Sequence, residues 1–287
     1  MTVARLRRVG GGDSPIRMLL LHGMAGSTAV WDEFTACAAG QSEIWDVELP
    51  WSVTGDGSWA SGTDIPGAIA SALESMPPRP AGEPHADLVV AHSFGASALL
   101  ELLSSGWQAW VGAVVLAAPL SCPEPFDWSE IGRKVEEFPR LLEEGIAHRT
   151  GARISPQTRR DLALRLRNLI GPLPWLRTYE YCLRAATLDL ARLTTPVLVV
   201  AGADDRISAV SDVERIARKL PDVRFEIFED CGHFPMIDRV ERFTETVDMF
   251  IQVALNRFDC EPATNGKSRG VQQVAVPAAE NGSLLRS

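Results

Sequence analysis

The sequence predicts an α/β fold, in which helices cover both faces of a mostly parallel β-sheet. Six short apolar segments bounded by turn residues recur along the 287 residues, and longer segments with helical spacing lie between them. Four of the short segments contain continuously apolar runs, which is typical of strands buried on both faces of a parallel sheet. Strands that alternate with helices indicate an α/β architecture.

The order of these segments predicts the organisation of the chain. The predicted strands are 17–22, 43–48, 87–92, 112–118, 196–201 and 223–228, and the predicted helices are 28–39, 63–76, 94–105, 211–220 and 239–255. Residues 121–190 show only helical spacing, interrupted by prolines, and this predicts an all-helical insertion that forms a cap. Residues 256–287 lose apolar periodicity and are expected to form a disordered tail. The core would then comprise residues 1–120 and 191–255.

Composition and charge exclude several classes of protein. The chain has 28 Lys+Arg against 37 Asp+Glu, a net charge of −9, so it lacks the basic surface that nucleic-acid binding requires. Its five cysteines are odd in number and show no C-x-x-C pairing, which indicates a reduced, intracellular set. No apolar run is long enough for a signal peptide or a membrane span. A soluble cytoplasmic protein is therefore expected.

A serine follows the predicted strand 87–92, in the segment Ala91-His92-Ser93-Phe94-Gly95, and a helix rich in small residues comes next. This is the context of a nucleophile elbow, whose sharp turn raises a serine hydroxyl above the sheet. Small residues are needed there because strand and helix pass close together, and Gly95 meets that need. A lone serine between a strand and a helix is more commonly a helix N-cap, so the other motifs decide between the two roles of Ser93.

Two later segments supply the partners of a serine nucleophile. One predicted strand ends in a loop with Asp204 and Asp205, and His233 follows 28 residues after Asp205 within the segment 231–235. A serine hydroxyl is a poor nucleophile at its free pKa, so it needs an imidazole to accept its proton and a carboxylate to orient that imidazole. Ser93, Asp205 and His233 can supply these parts, with Asp204 as the alternative acid.

Acyl chemistry also needs donors for a developing oxyanion. The first buried strand leads into His22-Gly23-Met24-Ala25-Gly26-Ser27, a glycine-bearing turn with backbone N–H groups free to face a ligand. In an elbow architecture one donor is the N–H group of the residue after the nucleophile, and the other comes from such a loop. These donors are predicted to be the backbone N–H groups of Phe94 and Met24.

These motifs together resemble the signature set of the α/β-hydrolase superfamily, over about residues 5–254. The matching segments are 22–27, 91–95, 202–205 and 232–235. The resemblance implies a sheet of about eight strands with a helical cap inserted after the sixth, and it selects Asp205, the third residue after the loop glycine, as the acid. Two positions depart from the pattern: Ala91 replaces the first elbow glycine, and Leu49-Pro50-Trp51-Ser52 replaces a glycine-rich loop.

The remaining histidines and cysteines have simpler interpretations. His22 and His92 adjoin the motifs, and we expect them to hold loops through hydrogen bonds. Together with His85 and His148 they show no H-x-x-x-H spacing, so no metal site is predicted. Cys231 is expected to be a buried, inert thiol.

Several aromatic residues lie in segments that would surround the serine or build the cap. Most are expected to pack, and some are expected to line an apolar pocket. The candidate substrate-binding residues are Trp31, Trp51, Trp128, Trp175 and Tyr179.

Positive charge is concentrated in the predicted cap. Residues 145–188 contain eight arginines against Asp161 and Glu180, a local charge of +6 within a chain of −9. A solvated helix face is one interpretation. The other is a docking surface for an anionic substrate or an acidic carrier protein, because opposite charge accelerates encounter.

The predicted function is hydrolysis of an ester, thioester or related acyl bond through an acyl-enzyme on Ser93. The expected substrate is a small to medium, partly apolar acyl compound, free or carrier-linked, and no cofactor, nucleic acid or membrane partner is expected. The same triad could instead serve an acyltransferase, a cyclase, a carbon–carbon hydrolase or a lyase. A non-catalytic ligand receptor is the alternative from another class.

Overall fold

The computed structural model describes residues 5–11, 14–38, 40, 42–55, 57–80, 83–107, 111–122 and 127–259. Within these residues a seven-stranded sheet lies at the centre of the molecule, and helices cover both of its faces. The predicted α/β architecture is therefore confirmed, with seven strands described where the resemblance implies about eight. In the described part of the chain, every helix is too short or too polar to cross a membrane.

The strands match the predicted ones closely. They are β1 (Arg5–Gly10), β2 (Arg17–Leu21), β3 (Glu43–Glu48), β4 (Ala86–His92), β5 (Val111–Ala117), β6 (Val197–Gly202) and β7 (Val223–Phe228). Their order across the sheet is β1-β3-β2-β4-β5-β6-β7, and all neighbours are parallel except the antiparallel pair β1 and β3. Strand β1 is absent from the prediction because this edge strand is largely exposed and rich in arginine.

The central strands bury side chains on both faces of the sheet. Along β4, Val89 and Ala91 pack into one hydrophobic cluster, whereas Leu88 and Val90 pack into the other. The first cluster also contains side chains of α2 (Ile65–Glu74), α3 (Ser93–Ser104) and α7 (Val210–Arg218). The second contains side chains of α1 (Asp32–Ala38), α8 (Pro235–Asp238) and α9 (Val240–Asp259). This two-sided burial explains the continuously apolar runs in the sequence.

The chain between β5 and β6 is helical in its described residues. It contains α4 (Trp128–Thr150), α5 (Pro156–Ile170) and α6 (Pro172–Thr187). Ser155 caps α5 by accepting a hydrogen bond from the Thr158 N–H group, and Gly151 and Gly171, with φ of 52° and 76°, follow α4 and α5. We call residues 121–190 the cap segment. The cap segment follows the fifth of the described strands. The resemblance implies that it follows the sixth strand.

The predicted tail begins inside the last helix. Helix α9 extends to Asp259, so residues 256–259 are helical where the sequence predicts the start of the tail. The remainder of the predicted tail, residues 260–287, lies outside the described residues.

Candidate active site

Ser93 lies at the sharp turn between β4 and α3. Its φ of 54° places a residue with a Cβ in the left-handed region, at a cost of about 1–3 kcal/mol. The packing around the turn is tight: a Cβ at Gly95 would lie 2.6 Å from the carbonyl oxygen of His22, and one at Gly23 would lie 3.0 Å from Ser93 Cβ. Ala91 is fully buried, so its methyl group is accommodated where the family pattern has glycine.

The three residues of the predicted triad lie in hydrogen-bond contact. His233 Nε2 lies 2.8 Å from Ser93 Oγ, and His233 Nδ1 lies 2.7 Å from Asp205 Oδ2. When Nδ1–H donates to the carboxylate, the neutral ring leaves Nε2 free to accept the serine proton. The arrangement therefore has the geometry of a serine nucleophile paired with a general base.

The environment of Asp205 favours its ionised form. Burial by itself would raise the pKa of Asp205, but attraction to His233 and the hydrogen bond with it act in the opposite direction. Asp205 Oδ1 also accepts hydrogen bonds from the N–H groups of Ile207 and Ser208, at 2.8 and 2.9 Å. The net result is a pKa below the usual range, so the carboxylate can orient and stabilise a protonated His233.

The predicted oxyanion donors are also available for hydrogen bonding. Phe94 is the second residue of α3, so its N–H group has no intrahelical acceptor. In the loop after β2 the N–H groups of Ala25 and Gly26 donate to backbone carbonyls, whereas that of Met24 donates to no acceptor within the described chain. The role of these two donors in binding an oxyanion stays a prediction.

His22 and His92 hold loops beside the site, as expected. His22 Nδ1 donates to the Gly23 carbonyl at 2.9 Å, and its Nε2 accepts from the Leu49 N–H group at 3.0 Å. His92 Nε2 donates to the carbonyl of His233 at 2.8 Å. Burial, with repulsion from His233 second, lowers the pKa of His92 to about 3. Both rings serve as neutral hydrogen-bonding groups behind the site, since burial also lowers the pKa of His22.

A cavity of about 390 Å³ opens in front of Ser93 and His233. It lies between the sheet edge and the cap segment, and its walls are mainly apolar. Two of the predicted substrate-binding residues, Trp175 and Tyr179 of α6, line it. Such a cavity suits a ligand with a substantial apolar part.

The other three candidate aromatics lie outside the walls described for this cavity. Trp31 is buried in the core beneath the site, where its ring contacts Phe34 and His92 edge-on. Trp51 is buried too, and its Nε1–H group donates to the carbonyl of His22 at 3.1 Å. Trp128 begins α4 and is 78% exposed. Core packing, loop anchoring and exposure at a helix start explain these three positions.

The cavity also contains residues that sequence reasoning missed. Lys134, Phe138 and Leu142 of α4 line it, at positions that recur every four residues on one helix face. That periodicity is visible in the sequence, and the lysine interrupts an otherwise apolar stripe. A charged residue inside an apolar stripe is the signal that could have singled out Lys134.

One group of side chains has the chemistry of metal ligands. Glu144 and His148 of α4 and Asp238 of α8 offer ligand atoms that all lie within 4.8 Å of one another. His148 Nε2 lies 3.3 Å from Asp238 Oδ1, an approach that a protonated His148 makes as an ion pair. The sequence gives no sign of this group, because Asp238 is remote from the other two along the chain.

Comparison with known proteins connects the chain to hydrolases. Residues 18–246 match the family described as the alpha/beta hydrolase family. A 2-hydroxymuconate semialdehyde hydrolase of Pseudomonas putida is 32% identical over 66 residues, which are 23% of this chain and 24% of that protein. A pimeloyl-[acyl-carrier protein] methyl ester esterase of Aromatoleum aromaticum is 38% identical over 58 residues, 20% of this chain and 22% of that protein.

These curated relatives share only a part of their length with the chain, because the alignments span 24% and 22% of the two proteins. The structural likeness is broader. An esterase from Rhodococcus sp. ECU1013 superposes with a TM-score of 0.61 over 87% of this chain and 94% of that one, at 19% identity. At that identity the likeness establishes the fold.

Proposed function

The chain belongs to the alpha/beta hydrolase family, and on this premise we propose that it is a serine hydrolase acting on an ester, thioester or related acyl bond. The observation that carries the proposal is the contiguous contact from Asp205 through His233 to Ser93, with distances of 2.7 and 2.8 Å. The serine stands on a strained turn that faces an apolar cavity. Nucleophilic acyl chemistry uses such an arrangement.

In the proposed mechanism, Ser93 Oγ attacks the acyl carbonyl while His233 Nε2 accepts its proton. The N–H groups of Met24 and Phe94 bind the oxyanion, and Asp205 stabilises the imidazolium. His233 then protonates the leaving group, and an acyl-enzyme forms. Water, activated by the same imidazole, attacks the acyl-enzyme and releases the acid. The steps need no cofactor.

The cavity supports a small to medium, partly apolar acyl group as the substrate. Its volume of about 390 Å³ is near the lower end of the range for small-molecule pockets, and Trp175 and Tyr179 contribute aromatic walls. Both residues belong to α6 of the cap segment. We therefore assign the acyl chain to the side of the cavity formed by the cap segment.

The test uses a serine-directed phosphonate and a panel of acyl esters and acyl thioesters. Wild-type protein should gain the mass of one phosphonyl group and hydrolyse at least one activated ester with a stoichiometric burst. Ser93→Ala should lose both properties, and Ser104→Ala, a serine at the far end of the same helix, should keep both. Labelling or esterase activity that persists in Ser93→Ala would overturn the proposal.

The same experiment separates the alternatives. Turnover that appears only when an amine or alcohol acceptor is present would indicate an acyltransferase. Cleavage of a carbon–carbon bond without ester cleavage would indicate a carbon–carbon hydrolase. Ligand-dependent thermal stabilisation without any turnover would indicate a receptor.

A carrier-linked acyl group is the second candidate substrate, and a surface feature favours it. Helix α5 carries Arg159, Arg160, Arg165 and Arg167 with one acidic residue, Asp161. Among the described residues these arginines form no ion pair with a carboxylate. The Aromatoleum aromaticum relative is named for an acyl-carrier-protein ester. A carrier with an acidic surface would be attracted to α5 by opposite charge.

Charge reversal on α5 tests this second candidate. The triple variant Arg160→Glu, Arg165→Glu and Arg167→Glu should raise the KM for a carrier-linked thioester and leave the KM for a free acyl ester unchanged. Arg218→Glu, an exposed change on α7, is the control. Equal KM values for the carrier-linked thioester in the wild type and the triple variant would exclude docking at α5.

We propose a cytoplasmic location for the enzyme. The four described cysteines, Cys37, Cys122, Cys182 and Cys231, form no disulfide with one another. A protein that keeps its thiols reduced fits a reducing compartment.

A further inference from the structure

Lys134 is a buried cation in the first helix of the cap segment. Its side chain is 2% exposed, and its Nζ donates to the carbonyl of Ile207 and pairs with Asp212 Oδ2 at 3.2 Å. Asp212 also pairs with Arg215. A buried ammonium group is costly unless it is paired and hydrogen-bonded. The contacts with Ile207 and Asp212 offset the cost of burying the ammonium group, and both residues belong to the core.

The contact with Ile207 connects Lys134 to the predicted triad through one residue. The carbonyl of Ile207 accepts from Lys134, and its N–H group donates to Asp205 Oδ1 at 2.8 Å. The other oxygen of Asp205 contacts His233 Nδ1. The backbone of Ile207 therefore lies between the cap lysine and the acid, and its position depends on both.

A second cap residue holds the same loop. Arg133 Nη1 donates to the carbonyl of Arg206 at 2.6 Å. Two successive residues of α4 therefore bind two successive carbonyls of residues 203–208, which we call the acid loop. On the core side the loop is held by Ser208 Oγ, which donates to the Ala118 carbonyl at 3.1 Å. The acid loop is thus fixed between the sheet and helix α4.

We propose that Lys134 is a positioning residue for Asp205, acting through the Ile207 peptide. This inference rests on the proposed serine-hydrolase function. Because the core-side hydrogen bonds remain, loss of Lys134 should displace the carboxylate slightly rather than release it. Displacements of about 1 Å near reacting groups can cost up to ~100-fold in rate. For Lys134→Met we expect kcat to fall by about 10-fold, with little change in KM.

The kinetic test compares Lys134→Met with a matched change elsewhere. Lys219 also links the cap segment to the core, since its Nζ donates to the carbonyl of Ala186 in α6, and this contact lies outside the acid loop. Lys134→Met should lower kcat and shift the acidic limb of the pH–rate profile, because the displaced carboxylate and the lost positive charge both change how well an imidazolium is stabilised. Lys134→Arg should recover most of kcat, and Lys219→Met should keep the wild-type profile.

A measurement without turnover keeps this inference separate from the proposed function. The proton between His233 Nδ1 and Asp205 should give a proton NMR signal far downfield of the amides in the wild type, in Ser93→Ala and in Lys219→Met. The signal should shift or broaden in Lys134→Met. If Lys134→Met does not fold, Arg133→Ala removes the other cap contact and should show the same two changes to a smaller degree.

Three results would overturn the inference. The first is an unchanged kcat, pH profile and downfield signal in folded Lys134→Met. The second is an effect confined to KM, which would make Lys134 a substrate contact in the cavity. The third is an equal loss of kcat in Lys219→Met, which would reduce Lys134 to one structural link among several. If the phosphonate does not label the wild type but the downfield signal still changes in Lys134→Met, the proposed function is contradicted and the positioning role stays supported.

Discussion

The sheet and the cap segment bury their side chains to very different degrees. Every residue of β4 and β5 is buried, whereas Ala163 is the single buried residue of α5, and Leu169 of that helix is 78% exposed. Ser93 and Asp205 follow the fully buried strands β4 and β6, and His233 follows β7, whose residues are mostly half-buried. The cavity walls are shared between the core and the cap segment, and the excess of positive charge lies in the cap segment. The proposed function therefore places its chemistry on rigid elements and part of its substrate selection on a region with more freedom to vary.

The largest effect should follow from changing the acid on the core side. Asp205→Asn should lower kcat by about 10⁴-fold, because the amide no longer stabilises the imidazolium or fixes its tautomer. Steady-state kinetics and circular dichroism should show this loss in a folded protein. Asp204→Asn, the exposed neighbour in the same loop, is the matched control. A larger loss in Asp204→Asn than in Asp205→Asn would mean that the acid is misassigned.

The next largest effect is the pH dependence of the free energy of unfolding that the buried His92 causes. The pKa of His92 is about 3 in the folded protein, below its unfolded value of about 6.5, so between these values the unfolded chain binds more protons. Its contribution to the free energy of unfolding therefore falls as pH decreases through this window, by about 1.4 kcal/mol per pH unit. Urea unfolding from pH 6 to pH 4 should show a shallower decline in His92→Gln than in the wild type. Equal slopes would contradict the prediction.

A smaller effect, on the free energy of unfolding, should distinguish the core from the cap segment when a glycine in each is replaced by alanine. Gly95→Ala places a Cβ 2.6 Å from the His22 carbonyl oxygen, whereas a Cβ at Gly132 in α4 meets nothing within 4 Å. We expect Gly95→Ala to destabilise the fold by about 1–3 kcal/mol through overpacking. Gly132→Ala should instead stabilise it by up to about 1 kcal/mol through helix propensity. Denaturant midpoints test both signs, and destabilisation by Gly132→Ala would show that α4 is as tightly constrained as the core.

The same contrast explains how far the sequence predicts this molecule. Parallel strands buried on both faces leave continuous apolar runs, and motifs at their carboxyl ends must meet at one edge of the sheet. That rule places Ser93, Asp205 and His233 together without knowledge of the loops. Strand β1 could not be predicted in this way, because an exposed edge strand has no continuous apolar run.

Side chains in irregular or helical segments are harder to place. The direction of Trp31, Trp51 and Trp128 depends on how each segment packs, and composition does not contain that information. Lys134 lies within the apolar stripe of α4, which is visible in the sequence. Its partner Ile207 lies 73 residues away, so the contact itself could be found only in the folded chain.

The smallest effect should come from the cap side of the cavity. Trp175 lines the cavity, whereas Leu176, the next residue of α6, lies outside its described walls and is 64% exposed. Trp175→Ala should raise KM for long acyl esters by about 10-fold, the equivalent of about 1.4 kcal/mol of lost apolar contact, with kcat little changed. Leu176→Ala should leave both constants near the wild-type values. If Trp175→Ala lowered kcat as strongly as Asp205→Asn, the division between a core that performs the chemistry and a cap segment that selects the acyl group would fail. If only KM rises, variation within α6 could change the preferred acyl chain while the contacts among Ser93, His233 and Asp205 stay intact.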